Sequence, residues 1–487
     1  MDNSFQTAFE FHKSGNLDEA EKLYTEILEK DDKNAEVWNL LGMLNMQKFK
    51  LSKAQEYIAR AISINPNPYF FENLAKVYLE MEDSEKAIEL YTELLKIKPD
   101  SFDYLFNLAS AYKLSGNYEK ATETYKKAGE INPDNPDTFF NLGLIYDNEG
   151  KPDEAIKCYQ KSLEIAPDDM ETRYFTGLAY FKNRDYKNGL KFFESRLCKQ
   201  SALMTQVQTY PNLVRKAPVW EGQDISDKTL YTYYEAGFGD VLMFSRYLPL
   251  LRQRCKKLIF KPQAPLVELF EYNFPDIEFQ KYFVNEDEMD FDYHIPVLSV
   301  PYVLGLNEDN GMFTGKSGYL KADPEIVKKY KIDYFNNNKF KIGIKWRGNT
   351  HYEMDRVIDI KSFIKLFDLP NTQFYSFQTF EGAEDLNEII NDYNIVDIGK
   401  TVTNFSDTAG ALKNLDLVIC NDTSLVHLAG AMTKPCWVLL PYLYNWRWHL
   451  DLEKCDWYDT VKLYRQKETG NWDEIFNRMY NDLKNII

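Results

Sequence analysis

Along the first two hundred residues, small and aromatic positions recur with a step of about 34. Ala20, Ala54, Ala87, Ala121, Ala155 and Gly189 are separated by 34, 33, 34, 34 and 34 residues. Tyr24, Ile58, Tyr91, Tyr125, Tyr159 and Phe193 keep the same step, as do Ala8, Gly42, Ala75, Ala109, Gly143 and Gly177. Pro66, Pro99, Pro133 and Pro167 close four of the units. This spacing predicts stacked helical hairpins. Small residues let two helices cross closely, aromatics fill the groove between neighbours, and proline stops the second helix. From Pro211 the period vanishes, and short apolar runs alternate with helical patterns. Four runs, LYTYYEAG, KKLIFKP, IEFQKYF and DYHIPVLSVP, read as strands before about residue 325. Five more, KFKIGIKW, TQFYSFQT, YNIVDIG, LDLVIC and CWVLLP, follow before about residue 445. Two successive β/α halves, each a parallel sheet flanked by helices, are the expectation, with ligands beyond the carboxyl ends of the strands.

With WNLLG at 38–42 and NLGLIY at 141–146, the repeating segment resembles the tetratricopeptide repeat, six units covering residues 1–200. Such a solenoid offers a concave face for a protein or peptide. Asn73, Asn107 and Asn141 occupy equivalent positions and are expected to form a ladder along that face, their amides meeting an extended peptide backbone; the alternative is a solvated polar position common in such repeats. The ladder is similar to that of the O-GlcNAc transferase solenoid.

Composition narrows the remainder. A net charge of −17 and a pI near 5.0 argue against nucleic-acid binding, which needs a basic face. The start lacks a charged segment followed by an apolar core, and there is no apolar run of membrane-spanning length, so a cytoplasmic protein with no membrane partner is expected. Six scattered cysteines without C-x-x-C and five unpaired histidines predict neither disulfides nor structural zinc.

Five segments of the C-terminal half carry a second resemblance: PVWEG at 218–222, EAGFGDVLMFSRYLPLL at 235–251, IGIKWRGNTHYEMDR at 342–356, NDTSLVHLAGAMTKPCWVLLPYLYNWRW at 421–448 and LYRQ at 463–466. They resemble the heptosyltransferase-like GT-B glycosyltransferases in the version fused to tetratricopeptide repeats, some of which glycosylate flagellin. The resemblance implies an α-solenoid followed by a GT-B fold of two Rossmann-like lobes: solenoid at 1–200, N-terminal lobe at 201–325, nucleotide-sugar-binding lobe at 326–466, and terminal helices at 467–487. It implies an inverting, metal-independent transferase moving a sugar from a nucleotide-sugar co-substrate, with no other cofactor, to a Ser or Thr of a protein acceptor such as flagellin. A non-catalytic adaptor, or an enzyme acting on lipopolysaccharide or a small acceptor, are the alternatives.

The residues suit that chemistry, in which a nucleotide phosphate departs and an acceptor hydroxyl loses its proton. Asp422, Thr423 and Ser424 head a helix whose free N–H groups would receive phosphate oxygens, or Asp422 or Thr423 merely caps it. Lys345 and Arg347, just past a strand, would add positive charge or lie on a solvated loop. His427 is a phosphate or sugar contact or a core histidine. Gly237 and Gly239 allow close backbone approach at a strand-to-helix turn, where Asp240 matches the proposed general base of heptosyltransferases; the alternative is an N-cap aspartate, with Glu235 in reserve as base. Gln378 is suited to the nucleoside. Asp355-Arg356 and Trp446-Arg447-Trp448 could line sugar or acceptor, although tryptophans on such a stretch more often serve packing. The absence of G-x-G-x-x-G gives no indication of a dinucleotide cofactor, and Asp290-Phe291-Asp292, beside Glu286, Asp287 and Glu288, reads as an exposed acidic turn rather than a metal site.

Overall fold

The computed structural model describes residues 3–197, 217–281, 290–348, 356–390, 392–443, 445–449, 453 and 455–487. Cys198, Glu286, Asp287, Glu288 and Asp355 lie outside them. The chain divides into two compact units, Met1–Thr172 and Arg173–Ile487.

The first unit is a helical solenoid. Its hairpins pair Asn3–Lys13 with Leu17–Lys30, Ala35–Gln47 with Leu51–Ile64, Pro68–Glu80 with Ser84–Ile97, Phe102–Leu114 with Tyr118–Ile131, and Pro136–Asn148 with Pro152–Ile165. The small positions are where the helices touch. A Cβ on Gly42 would lie 2.4 Å from Ile58 Cγ1, and one on Gly143 2.4 Å from the Tyr159 ring, closer than real carbons approach. Overpacking of this kind costs about 1–3 kcal/mol. Ala20, Ala54, Ala87, Ala121 and Ala155 are fully buried, as are Tyr24, Tyr91, Tyr125 and Tyr159. Removing one such ring costs about 3–5 kcal/mol.

The sixth hairpin, Met170–Lys182 and Tyr186–Phe193, crosses the boundary between units. Its Phe181, Tyr186, Leu190 and Phe193 belong to the core of the second unit. That is why its small position tolerates no expansion: a Cβ on Gly189 would meet the Phe181 ring at 2.3 Å.

The second unit holds two wholly parallel sheets. The first contains β1 (Ile225–Tyr233), β2 (Cys255–Lys261), β3 (Glu278–Phe279) and β4 (Tyr293–Pro296), in the order β3-β2-β1-β4. The second contains β5 (Phe340–Lys345), β6 (Thr372–Ser376), β7 (Ile395–Asp397), β8 (Leu417–Asn421), β9 (Cys436–Leu440) and β10 (Val461–Arg465), in the order β10-β9-β8-β5-β6-β7. All nine expected strands form, and LYRQ adds β10. The near-continuous burial of β6, β8 and β9 fits parallel strands covered on both faces. After residue 467, one amphipathic helix, Trp472–Lys484, buries Ile475, Phe476, Met479 and Leu483 against the second sheet. In the Asp290–Asp292 turn, Phe291 stacks on Tyr231 at 5.1 Å and Asp292 Oδ2 accepts the Thr229 N–H at 2.7 Å, a structural use of the acidic turn. Among the described residues, no helix is long and apolar enough to cross a membrane.

Candidate functional site

In each sheet, the chain works outward in one direction and then restarts on the other side of the first strand. The restart falls between β5 and β8 in the larger sheet and between β1 and β4 in the smaller. A crevice opens at the carboxyl ends of such strand pairs because their following loops turn opposite ways.

Lys345 ends β5, in register with Cys420 of β8. Its Nζ donates at 3.4 Å to the Phe377 carbonyl and at 3.5 Å to Thr379 Oγ1. Burial lowers its pKa to about 8, and no carboxylate among the described residues offsets that cost. Arg347 differs: Asp385 Oδ2 lies 3.2 Å from its Nη2, and Gly382 packs so closely that a Cβ would fall 2.7 Å from Arg347 Cδ. Of these two cations, Lys345 is the one left without an opposite charge.

Beyond β8, the helix Ser424–Ala431 opens with Thr423 extended at φ −138° and no side-chain cap. The Thr423 hydroxyl turns back to the Asn421 carbonyl at 3.4 Å. Asp422 departs from expectation. It is buried, its Oδ2 is 3.0 Å from Arg356 Nη1, and it neither caps the helix nor faces an incoming anion. Burial alone would raise its pKa, but Arg356, His427 and Arg447 together hold it below the ordinary carboxylate range. One turn later, His427 is buried, with Nδ1 3.0 Å from the Tyr458 hydroxyl and the ring stacked on Trp448 at 5.6 Å. Burial pushes its pKa down to about 4, which leaves it neutral at neutral pH.

The smaller sheet delivers its own turn to the same place. After β1, Ala236 takes the left-handed φ of +63°, unusual for a residue with a side chain, and the helix Phe238–Phe244 begins. Gly239 lies against the other helix: a Cβ there would be 2.8 Å from His427 Cδ2, 3.4 Å from its Nε2 and 3.6 Å from Ser424 Cα. Asp240 Oδ2 accepts the Gly237 N–H at 3.3 Å, and Oδ1 accepts from Arg447 Nη2. Arg447 also lies 4.5 Å over the Trp446 ring and reaches Asn445 Oδ1 at 2.8 Å. Gly239, Asp240, Ser424, His427 and Arg447 therefore meet, though they derive from two sheets.

Charge does not balance here. Arg356 and Arg447 offset Asp422 and Asp240, whereas Lys345 has no carboxylate partner. Neither has Arg246, a buried guanidinium held by the Met243 carbonyl at 2.9 Å, by the Trp457 carbonyl at 3.3 Å and by the faces of Tyr319, Trp457 and Tyr458 at 5.0–5.2 Å. In a chain of net charge −17, a buried Arg246 and a half-buried Lys345 that both lack a carboxylate partner among the described residues favour an anion.

Three further expectations need correction. Gln378 is buried and internally committed: its Oε1 accepts the Trp346 and Arg347 N–H groups at 3.2 and 3.0 Å, and its Nε2 donates to the Arg347 and Glu381 carbonyls at 3.1 and 2.7 Å. No edge remains for a nucleoside. Glu235, the reserve base, is buried with its Oε1 2.7 Å from Arg196 Nη2 and accepting the Leu298 N–H at 3.2 Å, so it holds the β1–β4 end together. Trp446 and Trp448 are buried, in keeping with their reading as packing residues. The asparagine ladder is broken: Asn73 is buried and donates to Asn39 Oδ1 at 3.0 Å, and Asn141 accepts from Lys113 Nζ at 2.5 Å. Asn107 remains half-exposed. Sequence reasoning missed the roles of Arg246, Tyr458 and the Arg447–Asp240 pair. A lone arginine inside the apolar run VLMFSRYLPLL was the available signal for Arg246.

Comparison with known proteins adds the repeats. Profiles described as tetratricopeptide repeat or TPR repeat match residues 11–77, 70–101, 90–123, 110–150 and 136–169. The chain is 23% identical over 296 residues to Protein FlbA of Caulobacter vibrioides, covering 55% of this chain and 48% of FlbA. It is 27% identical over 104 residues to the BBSome complex member BBS4 of Mus musculus, covering 21% of this chain and 20% of BBS4. It thus spans about half the length of the first relative and a fifth of the second. The solved structure of YrrB, described as a TPR protein with an unusual peptide-binding site, is 20% identical, with 35% of this chain and 88% of that one covered at a TM-score of 0.31. The N-terminal part of the chain is a solenoid of tetratricopeptide repeats, a scaffold that generally holds protein partners or peptides.

Proposed function

We propose that the second unit is a GT-B glycosyltransferase of the heptosyltransferase-like class. It transfers a sugar, with inversion and without a metal, from a nucleotide-sugar to a Ser or Thr of a protein acceptor recruited by the repeats in the cytoplasm; flagellin is an acceptor of this kind. The observation that carries the reading is the meeting of the Gly239–Asp240 turn with the Ser424 helix and Arg447. The acceptor oxygen forms a bond to the anomeric carbon as the bond from that carbon to phosphate oxygen breaks. The electron pair leaves on the phosphate, met by Lys345, the Thr423 and Ser424 hydroxyls and the helix amides, and the acceptor proton passes to Asp240. His427, being neutral, can donate a hydrogen bond through Nε2 without adding charge. Arg447 is bonded to Asp240 Oδ1, so an acceptor hydroxyl must displace it.

That engagement of both Asp240 oxygens favours a second reading, in which the α/β unit is a non-catalytic platform of an adaptor. Intact-mass measurement of candidate acceptors coexpressed with the chain separates the two. Sugar-sized increments that vanish with Asp240→Asn support the transferase, and their absence with the native chain supports the adaptor.

A further inference from the structure

Gln378 anchors the loop that follows β6. The segment following β6 is clamped on both sides. Gln378 ties it to the backbone after β5 at Trp346 and Arg347, and its Nε2 also fixes the Glu381 carbonyl. A Cβ on Gly399 would lie 1.9 Å from the Gln378 carbonyl oxygen, so the neighbouring loop presses against it as well, and Gly382 packs on Arg347. In the middle of this rigid loop stands Phe380. It is 91% exposed and has the left-handed φ of +55°, although it has a side chain.

Both features are unfavourable. A phenyl group left in water forgoes its burial, and a non-glycine residue in the left-handed region is strained. Neither is relieved inside the unit, because the Phe380 carbonyl accepts the Ala383 N–H at 3.0 Å and the turn is locked. Strain and apolar exposure held on one rigid residue point to a ligand that covers it. Its neighbour Thr379 offers its hydroxyl 3.5 Å from Lys345 Nζ, the cation without a carboxylate partner. The ring therefore stands at the carboxyl end of the sheet, one residue from a lysine that wants an anion. A ligand that satisfies both has a flat π-face and a negative group.

We propose that Phe380 is the stacking platform for the base of the nucleotide whose phosphates meet Lys345, so that the base is held by its face rather than read by its edge. The proposal rests on the glycosyltransferase reading for the class of ligand. Stacking on an aromatic side chain accepts any base, because every base has a π-face.

Calorimetric titration of the full chain with UDP, ADP, GDP, CMP and inorganic pyrophosphate tests it, using native chain, Phe380→Ala and Phe380→Trp. The expected result is that at least one nucleotide binds the native chain, that Phe380→Ala weakens it about tenfold, and that Phe380→Trp retains it. Pyrophosphate affinity should stay within about twofold in all three, since stacking contributes nothing to it. Nucleotide affinity unchanged in Phe380→Ala would overturn the stacking role and leave the transferase reading standing. Equal loss of nucleotide and pyrophosphate would also overturn it, because Phe380 would then be shaping the loop. Failure of every nucleotide to bind the native chain would overturn the transferase reading and the stacking role together.

Discussion

Adding one methyl group at Gly239 tests whether the two sheets meet as described. Gly239 is the second residue of the helix Phe238–Phe244. In an unobstructed helix, Gly→Ala stabilises by about 0.5–1 kcal/mol. Here the new carbon would lie 2.8 Å from His427 Cδ2, and the imidazole cannot retreat, because it is stacked on Trp448 and bonded to Tyr458. Overpacking against an immobile ring costs about 1–3 kcal/mol, so the contact outweighs the propensity and Gly239→Ala should destabilise by about 0.5–2 kcal/mol. A control of opposite sign lies in the solenoid: a Cβ on Gly129 meets Thr138 Cγ2 at an ordinary 3.5 Å, and Gly129→Ala should stabilise by about 0.5–1 kcal/mol. Seven of the eight tryptophans lie in the second unit, so denaturant unfolding followed by tryptophan fluorescence reads Gly239→Ala, and helical circular dichroism reads Gly129→Ala. If Gly239→Ala proved as stable as the native chain or more so, the Gly239–His427 contact would be refuted.

Two further outcomes follow from the same geometry. Because burial holds the pKa of His427 near 4, against about 6.5 in the unfolded chain, the unfolded state binds more protons between those values. Stability should therefore fall as the pH drops from about 6.5 to 4, with at most about 3 kcal/mol arising from this residue. His294, likewise lowered to about 4 by burial, contributes a similar slope, so His427→Gln should remove about half of the combined acid sensitivity of the two in denaturant midpoints measured across that range. In the solenoid, Asn73→Ala removes a buried amide pair and should cost about 1–2 kcal/mol in thermal unfolding, whereas Asn107→Ala should leave stability within about 0.5 kcal/mol and weaken capture of an acceptor peptide. Equal effects of the two on stability would contradict the difference in burial.

The solenoid and the strands were legible because they depend on local periodicity. The 34-residue step fixed which alanines and tyrosines would be buried, and each apolar run became a strand. The short β10 escaped because charged Lys462 and Arg465 interrupt its apolar pattern. At the site, residue types announced the Asp422–Ser424 helix start and the glycine turn, but partners distant in sequence were invisible. Nothing local ties Asp240 to Arg447, Asp422 to Arg356, or His427 to Tyr458. Gln378 and Glu235 were misassigned for the same reason: a polar residue at a strand's carboxyl end can face a ligand or pin a neighbouring loop, and the hydrogen-bond partner decides which. Asn73 failed as a ladder member because Asn39, on the preceding hairpin, takes up its amide.

In the proposed transferase, Lys345, at the carboxyl end of β5 and without a carboxylate partner, receives the phosphate of a nucleotide. Calorimetric titration of nucleoside diphosphates into native chain and Lys345→Met tests it most directly. The expected result is saturable binding to the native chain that weakens about tenfold to a hundredfold in Lys345→Met, while the variant's unfolding midpoint holds or rises because a partly desolvated charge without a carboxylate partner is gone. Binding of equal strength in both chains, or to neither, would contradict it.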